Sequence, residues 1–368
     1  MTVRLLNEDC LTALPKLASE GLQAHSAVTD PPYHLTSIVK RFAKSGRTDS
    51  TWSRSGLHQR TARGFMGKTW DGGDIALRAE TWRLVYDCLR PGAYLLAFGG
   101  TRTWHRQAVA IEDAGFEIRD TIMWLYGSGF PKSHNAGDGW GTALKPAVEP
   151  IVLARKPLIG TVAANVAQFG TGAINIDASR LPDGGVLVTT GNGKRDRQDG
   201  YGMQGGIIGG SPLGRWPANV IHDGSDEVEE AFAAFGEAPG QQFTVGPQHG
   251  KRDSVNVYGD YGERPLTLPR GDTGTASRFF YTAKASAADR AGSKHPTVKP
   301  TDLMRYLVQM VTPKGGTVLD PFAGSGSTGL AADQLGCDAV LIERDPGYAE
   351  DIQRKITGDC PLFAEVSA

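Results

Sequence analysis

The chain has 368 residues, 40% of them hydrophobic and 21% charged, with a formal net charge of −1; that is material for one large domain or two ordinary ones, and the charge total says nothing in favour of nucleic acid. Its four cysteines (Cys10, Cys88, Cys337, Cys360) are scattered without Cys-x-x-Cys or Cys/His spacing, which excludes a zinc module or a disulfide framework and points to a reduced, cytoplasmic protein. Asn7, Glu8 and Asp9 interrupt any apolar signal core, and no apolar stretch is long enough to span a bilayer, so no membrane partner is expected.

In chain order, the pattern predicts a short strand over Val3–Leu6, a helix over Cys10–Ser19 and a buried strand over Ser26–Thr29 that ends on Asp30-Pro31-Pro32-Tyr33. Residues 34–75 read as a long basic loop, with eight Lys/Arg against one acid from His34 to Trp70. A helix over Ala79–Leu89, an apolar strand over Ala93–Phe98, a helix over Arg102–Ala114 and strands over Glu117–Leu125 and Glu149–Ala154 follow. From 158 to 280 glycine is frequent and periodicity weak, apart from one amphipathic helix at Ser225–Phe235, so this stretch reads as an irregular insertion. The last zone predicts a helix at Thr301–Val311, a strand at Thr317–Leu319, a helix at Thr328–Leu335, a strand at Ala339–Ile342 and a helix at Tyr348–Ile356. Strands alternating with helices predict a parallel sheet covered on both faces.

Two motifs carry chemistry. Asp320-Pro321-Phe322-Ala-Gly324-Ser325-Gly326-Ser-Thr-Gly329 follows a strand and opens a helix, and Glu343 lies 19 residues after Gly324 at the end of the next strand. Glycines let the backbone approach a ligand, and a carboxylate one strand over accepts ribose hydroxyls; this much fits NAD as well as S-adenosylmethionine. Asp30-Pro-Pro-Tyr33 suits an exocyclic amine. Such an amine is a poor nucleophile because its lone pair is delocalised into the ring. A carboxylate and a backbone carbonyl that accept its two N–H groups pull the nitrogen toward tetrahedral geometry. Pro31 and Pro32 fix the turn, and Tyr33 offers a face on which an extruded base can stack.

With these residues in hand, His295–Glu343 resembles the cofactor half of the amino-group (adenine-N6/cytosine-N4) DNA methyltransferases. His295-Pro-Thr-Val-Lys299-Pro300 looks like their motif before the cofactor strand, and Asn7-Glu-Asp9-Cys-Leu11 looks like their opening motif, with Asn7 and Glu8 departing from the usual glycine. The resemblance implies S-adenosylmethionine as cofactor. It places Lys299 and Thr301 near the methionine part, and it places Asp30, Asp320, Pro321, Phe322, Gly324, Ser325 and Gly326 around the pocket. Glu343 would hold the ribose and Asp9 the adenine amine, while Asp9 also suits a helix N-cap. His295 is expected to orient the loop rather than take part in chemistry. The implied fold is a Rossmann-like α/β methyltransferase with a mostly parallel seven-stranded sheet, helices on both faces and circularly permuted order.

The catalytic motif precedes the cofactor motif, which resembles the subclass called beta. Residues 1–157 and 281–368 then form the catalytic and cofactor domain, and 158–280 the inserted target-recognition region. Trp124–Ser133, Glu149–Lys156, Arg215–Asn219 and Arg278–Ala285 look like methyltransferases carried by phages and prophages, and Trp124 and Trp216 are expected in core packing. Lys40, Arg41, Lys44, Arg47, Arg54, Arg60 and Arg63 are candidates for DNA phosphates. Double-stranded DNA is the implied partner, with a homodimer and a cognate restriction endonuclease at family level. An Asp at the first tetrapeptide position is typical of the adenine-N6 enzymes, and cytosine-N4 is the alternative. An RNA amine methyltransferase, an NAD-dependent oxidoreductase and a non-catalytic DNA-binding protein remain as further readings.

Overall fold

The structure is a computed structural model, and it describes residues 2–33, 74–129, 133, 135–182, 214–239, 273–283, 286, 289–290, 295 and 297–358. The chain forms two compact units, one of Met1–Ala178, Asn219–Ser225 and Thr282–Ala368, the other of Ser179–Ala218 and Asp226–Tyr281.

The first unit is built on one sheet. Its strands are β1 (Val3–Leu6), β2 (Ala24–Thr29), β3 (Leu89–Phe98), β4 (Glu117–Leu125), β5 (Val148–Arg155), β6 (Val220–His222), β7 (Thr317–Asp320) and β8 (Asp338–Ile342). The spatial order is β1-β8-β7-β2-β3-β5-β4-β6, with Tyr281–Thr282 at the far edge. Neighbours from β1 to β3 pair in parallel, and β5 runs antiparallel to β3 and β4. The seven longer strands therefore form the mostly parallel sheet that the alternating pattern predicts, and short β6 extends it beside β4.

Helices cover both faces. On one face α1 (Cys10–Ser19), α2 (Ala79–Asp87) and α3 (Trp104–Asp113) bury Leu14, Leu17, Trp82, Val85 and Ile111 against Leu95, Ala97 and Val152. Residues alternate along a strand, so Tyr94, Leu96 and Phe98 are left for the other face. There α6 (Thr301–Val311) packs on β2 and β3, with Leu303, Met304, Leu307 and Val308 buried. Burying each such side chain contributes about 1.5–3 kcal/mol. The remaining helices are α4 (Val162–Phe169), α5 (Asp226–Ala233), α7 (Ser327–Gln334) and α8 (Pro346–Ile356), of which α5 belongs to the second unit.

Helix α4 departs from the sequence reading, which has irregular structure beginning at 158. Thr161 caps it by accepting from the Ala164 amide, and Gly170 ends it in the left-handed region at φ 72°. Its inward residue is Asn165, fully buried, which donates to the Pro91 and Thr171 carbonyls and accepts from the Ile159 amide. The helix is docked by hydrogen bonds instead of an apolar stripe, so it has little hydrophobic periodicity to read. The first unit accordingly runs to Ala178 and takes back Asn219–Ser225, where the expected domain boundary falls at 157.

The second unit holds α5, the bridge between Leu181 and Arg215, and the strand pair Ala238–Pro239/Thr273–Gly274. Trp216 is 64% exposed, with the Arg180 guanidinium 5.2 Å over its ring, so it is not the core residue expected.

Candidate active site

Strands β2 and β7 lie side by side, and the chain leaves them in opposite directions: β2 leads to β3, β7 to β8. Such a reversal opens a crevice at the carboxyl ends of the strands, where open α/β sheets bind ligands. Asp30 follows the end of β2, and Asp320 is the last residue of β7. Two motifs that stand nearly three hundred residues apart in sequence thus become neighbours. The Thr29 hydroxyl ties them directly, donating to Asp320 Oδ1 at 2.6 Å.

The glycine loop after β7 has the shape its composition implies. Gly324 has φ 55° and Gly326 φ 78°, both in the left-handed region that disfavours side chains. A Cβ on Gly324 would stand 3.1 Å from His295 Nε2, and one on Gly326 2.9 Å from Ile352. His295 therefore backs the loop, its ring edge-on to Tyr348 at 4.6 Å, and burial holds its pKa below the ordinary value. Glu343, at the end of β8, accepts the Gly324 amide at 2.7 Å through one oxygen and the Asp345 amide at 2.7 Å through the other. Burial raises its pKa against those two amides, with a net upward shift. Asp320 is 2% exposed and accepts from Thr29, Thr328 and the Phe322 amide. Burial outweighs these bonds and lifts its carboxyl to about 6. The Ser325 carbonyl takes the Lys355 ammonium at 2.8 Å, and Pro321 is buried beneath the turn.

Asp9 caps α1 by accepting from the Leu11 amide at 2.9 Å, as expected of an N-cap. Its second oxygen lies 3.7 Å from Arg344, one residue beyond Glu343. Asn7, which with Glu8 departs from the resembled motif, donates to the Glu343 and Arg344 carbonyls and so clasps the end of β8. Thr301 gives its amide to Asp289 Oδ1 at 2.8 Å, which caps α6 from a separate segment.

Asp30 and Tyr33 meet Lys299 and Glu149 in one cluster. The Tyr33 hydroxyl is 2.7 Å from Asp30 Oδ1 and 3.1 Å from Glu149 Oε2. Lys299 Nζ is 2.6 Å from Asp30 Oδ2, 3.1 Å from Glu149 Oε2 and 3.2 Å from the Tyr33 hydroxyl. The ammonium also sits 4.8 Å over the Phe98 ring. The Lys299 side chain is 8% exposed, whereas the two acids keep 21% and 22%, so the cation is sealed in and the anions face outward. Burial alone would lower the Lys299 pKa, but the charges of Asp30 and Glu149 outweigh it and raise it. Burial and the same two carboxylates push the Tyr33 phenol well above its ordinary value. Tyr33 is fixed from below, its carbonyl accepting the Thr103 hydroxyl at 2.9 Å, while Gly100 leaves room for its Cβ. One ammonium between two carboxylates leaves the cluster with net negative charge, suited to polarising N–H groups.

The structure thus gathers Asp30 to Tyr33, Lys299, Asp320 to Gly326 and Glu343 at one end of the sheet. Lys40, Arg41, Lys44, Arg47, Arg54, Arg60 and Arg63 lie outside the described residues. Glu149 was not among the expected site residues. The available signal was an acid directly before a proline at the head of an apolar strand, a place where a charge needs a reason. No group of three metal-binding side chains occurs among the described residues, and none of their helices is long and apolar enough to cross a membrane.

A family model for N6/N4 methyltransferases, described as DNA methylase, matches residues 24–354. The Type II methyltransferase M.HindIII of Haemophilus influenzae is 22% identical over 374 residues, covering 93% of this chain and 91% of the relative. M2.DpnII of Streptococcus pneumoniae is 32% identical over 71 residues, 19% of this chain and 26% of its own. Among solved structures, the M1.HpyAVI–SAM complex aligns with a TM-score of 0.44 and 14% identity, covering 96% of this chain and all of that one. The cytosine-N4-specific PvuII DNA methyltransferase aligns with a TM-score of 0.45 and 14% identity, covering 96% and 86%.

Proposed function

The chain belongs to the N6/N4 DNA methylase family, and from that premise we propose that it moves the methyl group of S-adenosylmethionine onto the N6 amine of adenine in double-stranded DNA. The observation that carries the proposal is the junction at the centre of the sheet. There the amine-type tetrapeptide after β2 stands against the glycine loop after β7, joined by Thr29, Asp320 and Lys299. The residues fit the cofactor. Gly324 and Gly326 hold left-handed turns that leave no room for a Cβ against His295 and Ile352, so the loop offers bare backbone to a ligand, and Glu343 and Asp9 are the carboxylates assigned to its ribose and adenine.

When bound, the cofactor supplies an electrophilic methyl group on a sulfonium. Everything else is the work of side chains and backbone. Asp30 accepts one N–H of the target amine, and the carbonyl held by Pro31 and Pro32 accepts the other, so the nitrogen lone pair turns toward the donor. Tyr33 presents its ring to the extruded base. The contribution is mainly positioning. Asp at the head of the tetrapeptide supports adenine over cytosine.

The same proposal assigns Lys40 to Arg63 to the DNA backbone, and Ser179–Ala218 with Asp226–Tyr281 to reading sequence. It also takes in cytoplasmic action, the homodimer and the cognate endonuclease expected from the resemblance. The test pairs calorimetry with methyl labelling. Wild type is expected to bind S-adenosylmethionine but not NAD, and to label DNA. Asp30→Ala is expected to keep the cofactor and label nothing. NAD binding, or equal labelling by both proteins, would contradict the reading.

A further inference from the structure

Glu149 is the second residue of β5, the strand paired antiparallel between β3 and β4, and it lies near the end of the sheet where β3 terminates. Its oxygen Oε2 meets two groups that also serve Asp30, the Tyr33 hydroxyl at 3.1 Å and the Lys299 ammonium at 3.1 Å. The tyrosine has one hydroxyl proton and two carboxylates within reach. With that proton on Asp30 Oδ1 at 2.7 Å and Lys299 at 2.6 Å from Oδ2, both oxygens of Asp30 are engaged. A target amine arriving at Asp30 competes with both donors for its lone pairs, and Asp30 accepts the amine more strongly once the hydroxyl turns away. A part-buried hydroxyl without a second acceptor of equal strength opposes that exchange, because it would lose a hydrogen bond to a charged group. Glu149 stands where the hydroxyl can go. It also shares Lys299, so the ammonium does not neutralise Asp30 alone.

We propose that Glu149 is a positioning residue of the methyl-transfer centre, taking over the Tyr33 hydroxyl and part of the Lys299 charge as the target amine engages Asp30. The proposal rests on the functional reading above and adds to it a residue that acts through Tyr33 and Lys299 and does not touch the base. A bland counter-ion for Lys299 would serve folding alone, and the two roles differ in what they couple to. If Glu149 works through the Tyr33 hydroxyl, its importance depends on that hydroxyl being present.

The test is a double-mutant cycle on the full chain with wild type, Glu149→Met, Tyr33→Phe and the double variant. Single-turnover methyl transfer to plasmid DNA and calorimetric affinity for S-adenosylmethionine are both measured. Glu149→Met is expected to slow transfer on the order of 10- to 100-fold when Tyr33 is intact, the size of one lost hydrogen bond to a charged group. Cofactor affinity should stay within about twofold, since no cofactor contact is assigned to Glu149. In the Tyr33→Phe background the same substitution should cost several-fold less. Glu149→Gln, which keeps an acceptor oxygen but loses the charge, should fall between wild type and Glu149→Met; if Glu149→Met does not fold, the Gln cycle decides by the same ratio. An equal cost in both backgrounds, a loss confined to cofactor affinity, or no loss at all overturns the inference. A wild type that labels no DNA overturns the functional reading and takes this inference with it.

Discussion

Asp320 shows how much one side chain reports on the centre. Its carboxyl is buried at the junction of two strands, and three donors do not fully offset the lost hydration, so its pKa rises from 3.8 to about 6. The folded chain therefore holds this proton more tightly than the unfolded chain does. The resulting stability is fully present below about pH 4 and is lost as pH rises to about 6, an effect of roughly 2–3 kcal/mol. Asp320→Asn is expected to remove that slope, which urea melts at pH 4, 5, 6 and 7 would show; an unchanged slope would put the burial argument in doubt. At this scale the sequence was legible where residue type alone dictates a role. Gly324 and Gly326 need positive φ, Glu343 directly follows its strand as an acid, and Asp30 heads a proline turn. Glu149 and Asp289 were not legible, because their meaning lies in partners brought close only by the fold. Glu149 reaches Tyr33 across 116 residues. Lys299 was visible as a motif residue, but its bridge between two carboxylates was not.

Among the elements, those with an apolar face were readable nearly to the residue. Helices Cys10–Ser19 and Thr301–Val311 begin and end where the sequence places them, while β3 starts at Leu89, four residues before the expected Ala93. Helix α4 escaped because Asn165, a polar residue, docks it. The start of α6 raises a different point, since Pro300 at its N-cap offers no side-chain acceptor and Asp289 supplies one from another segment. Burial alone would raise the Asp289 carboxyl, but bonds from Ser286 and Thr301 outweigh it and the net shift is downward. Its contribution is therefore present above the ordinary carboxylate range and is lost as pH falls through the lowered pKa. Asp289→Ala is expected to cost about 1 kcal/mol at pH 7, seen as a melting point lower by roughly 1–2 °C. The gap between variant and wild type should narrow in acid. A gap that widens in acid would mean that the cap is not what Asp289 supplies.

Over the whole molecule, permuted motif order and parallel topology are one fact. The tetrapeptide and the glycine loop come from opposite ends of the chain, and they meet because β2 and β7 are neighbours at the point where the sheet reverses. That meeting was implied by the resemblance and could not be derived from either motif alone. In the second unit the helix at Asp226–Ala233 was legible, close to the expected Ser225–Phe235, and the other described elements, which are short, were not. Charge is the other property of the whole molecule: a chain of net −1 that binds DNA must concentrate its basic residues. Replacing Lys40, Arg41 and Lys44 together by Gln is expected to flatten the salt dependence of DNA binding by about 0.9 in log–log slope for each phosphate no longer neutralised; an unchanged slope would remove these residues from the interface. The central claim, transfer of a methyl group to an exocyclic amine of DNA held by Asp30, is tested most directly by nucleoside mass spectrometry of DNA from a methylation-deficient host expressing the chain. The account expects N6-methyladenine with wild type and none with Asp30→Ala. N4-methylcytosine without methyladenine would contradict the choice of base, and equal methyladenine from both proteins would contradict the role of Asp30.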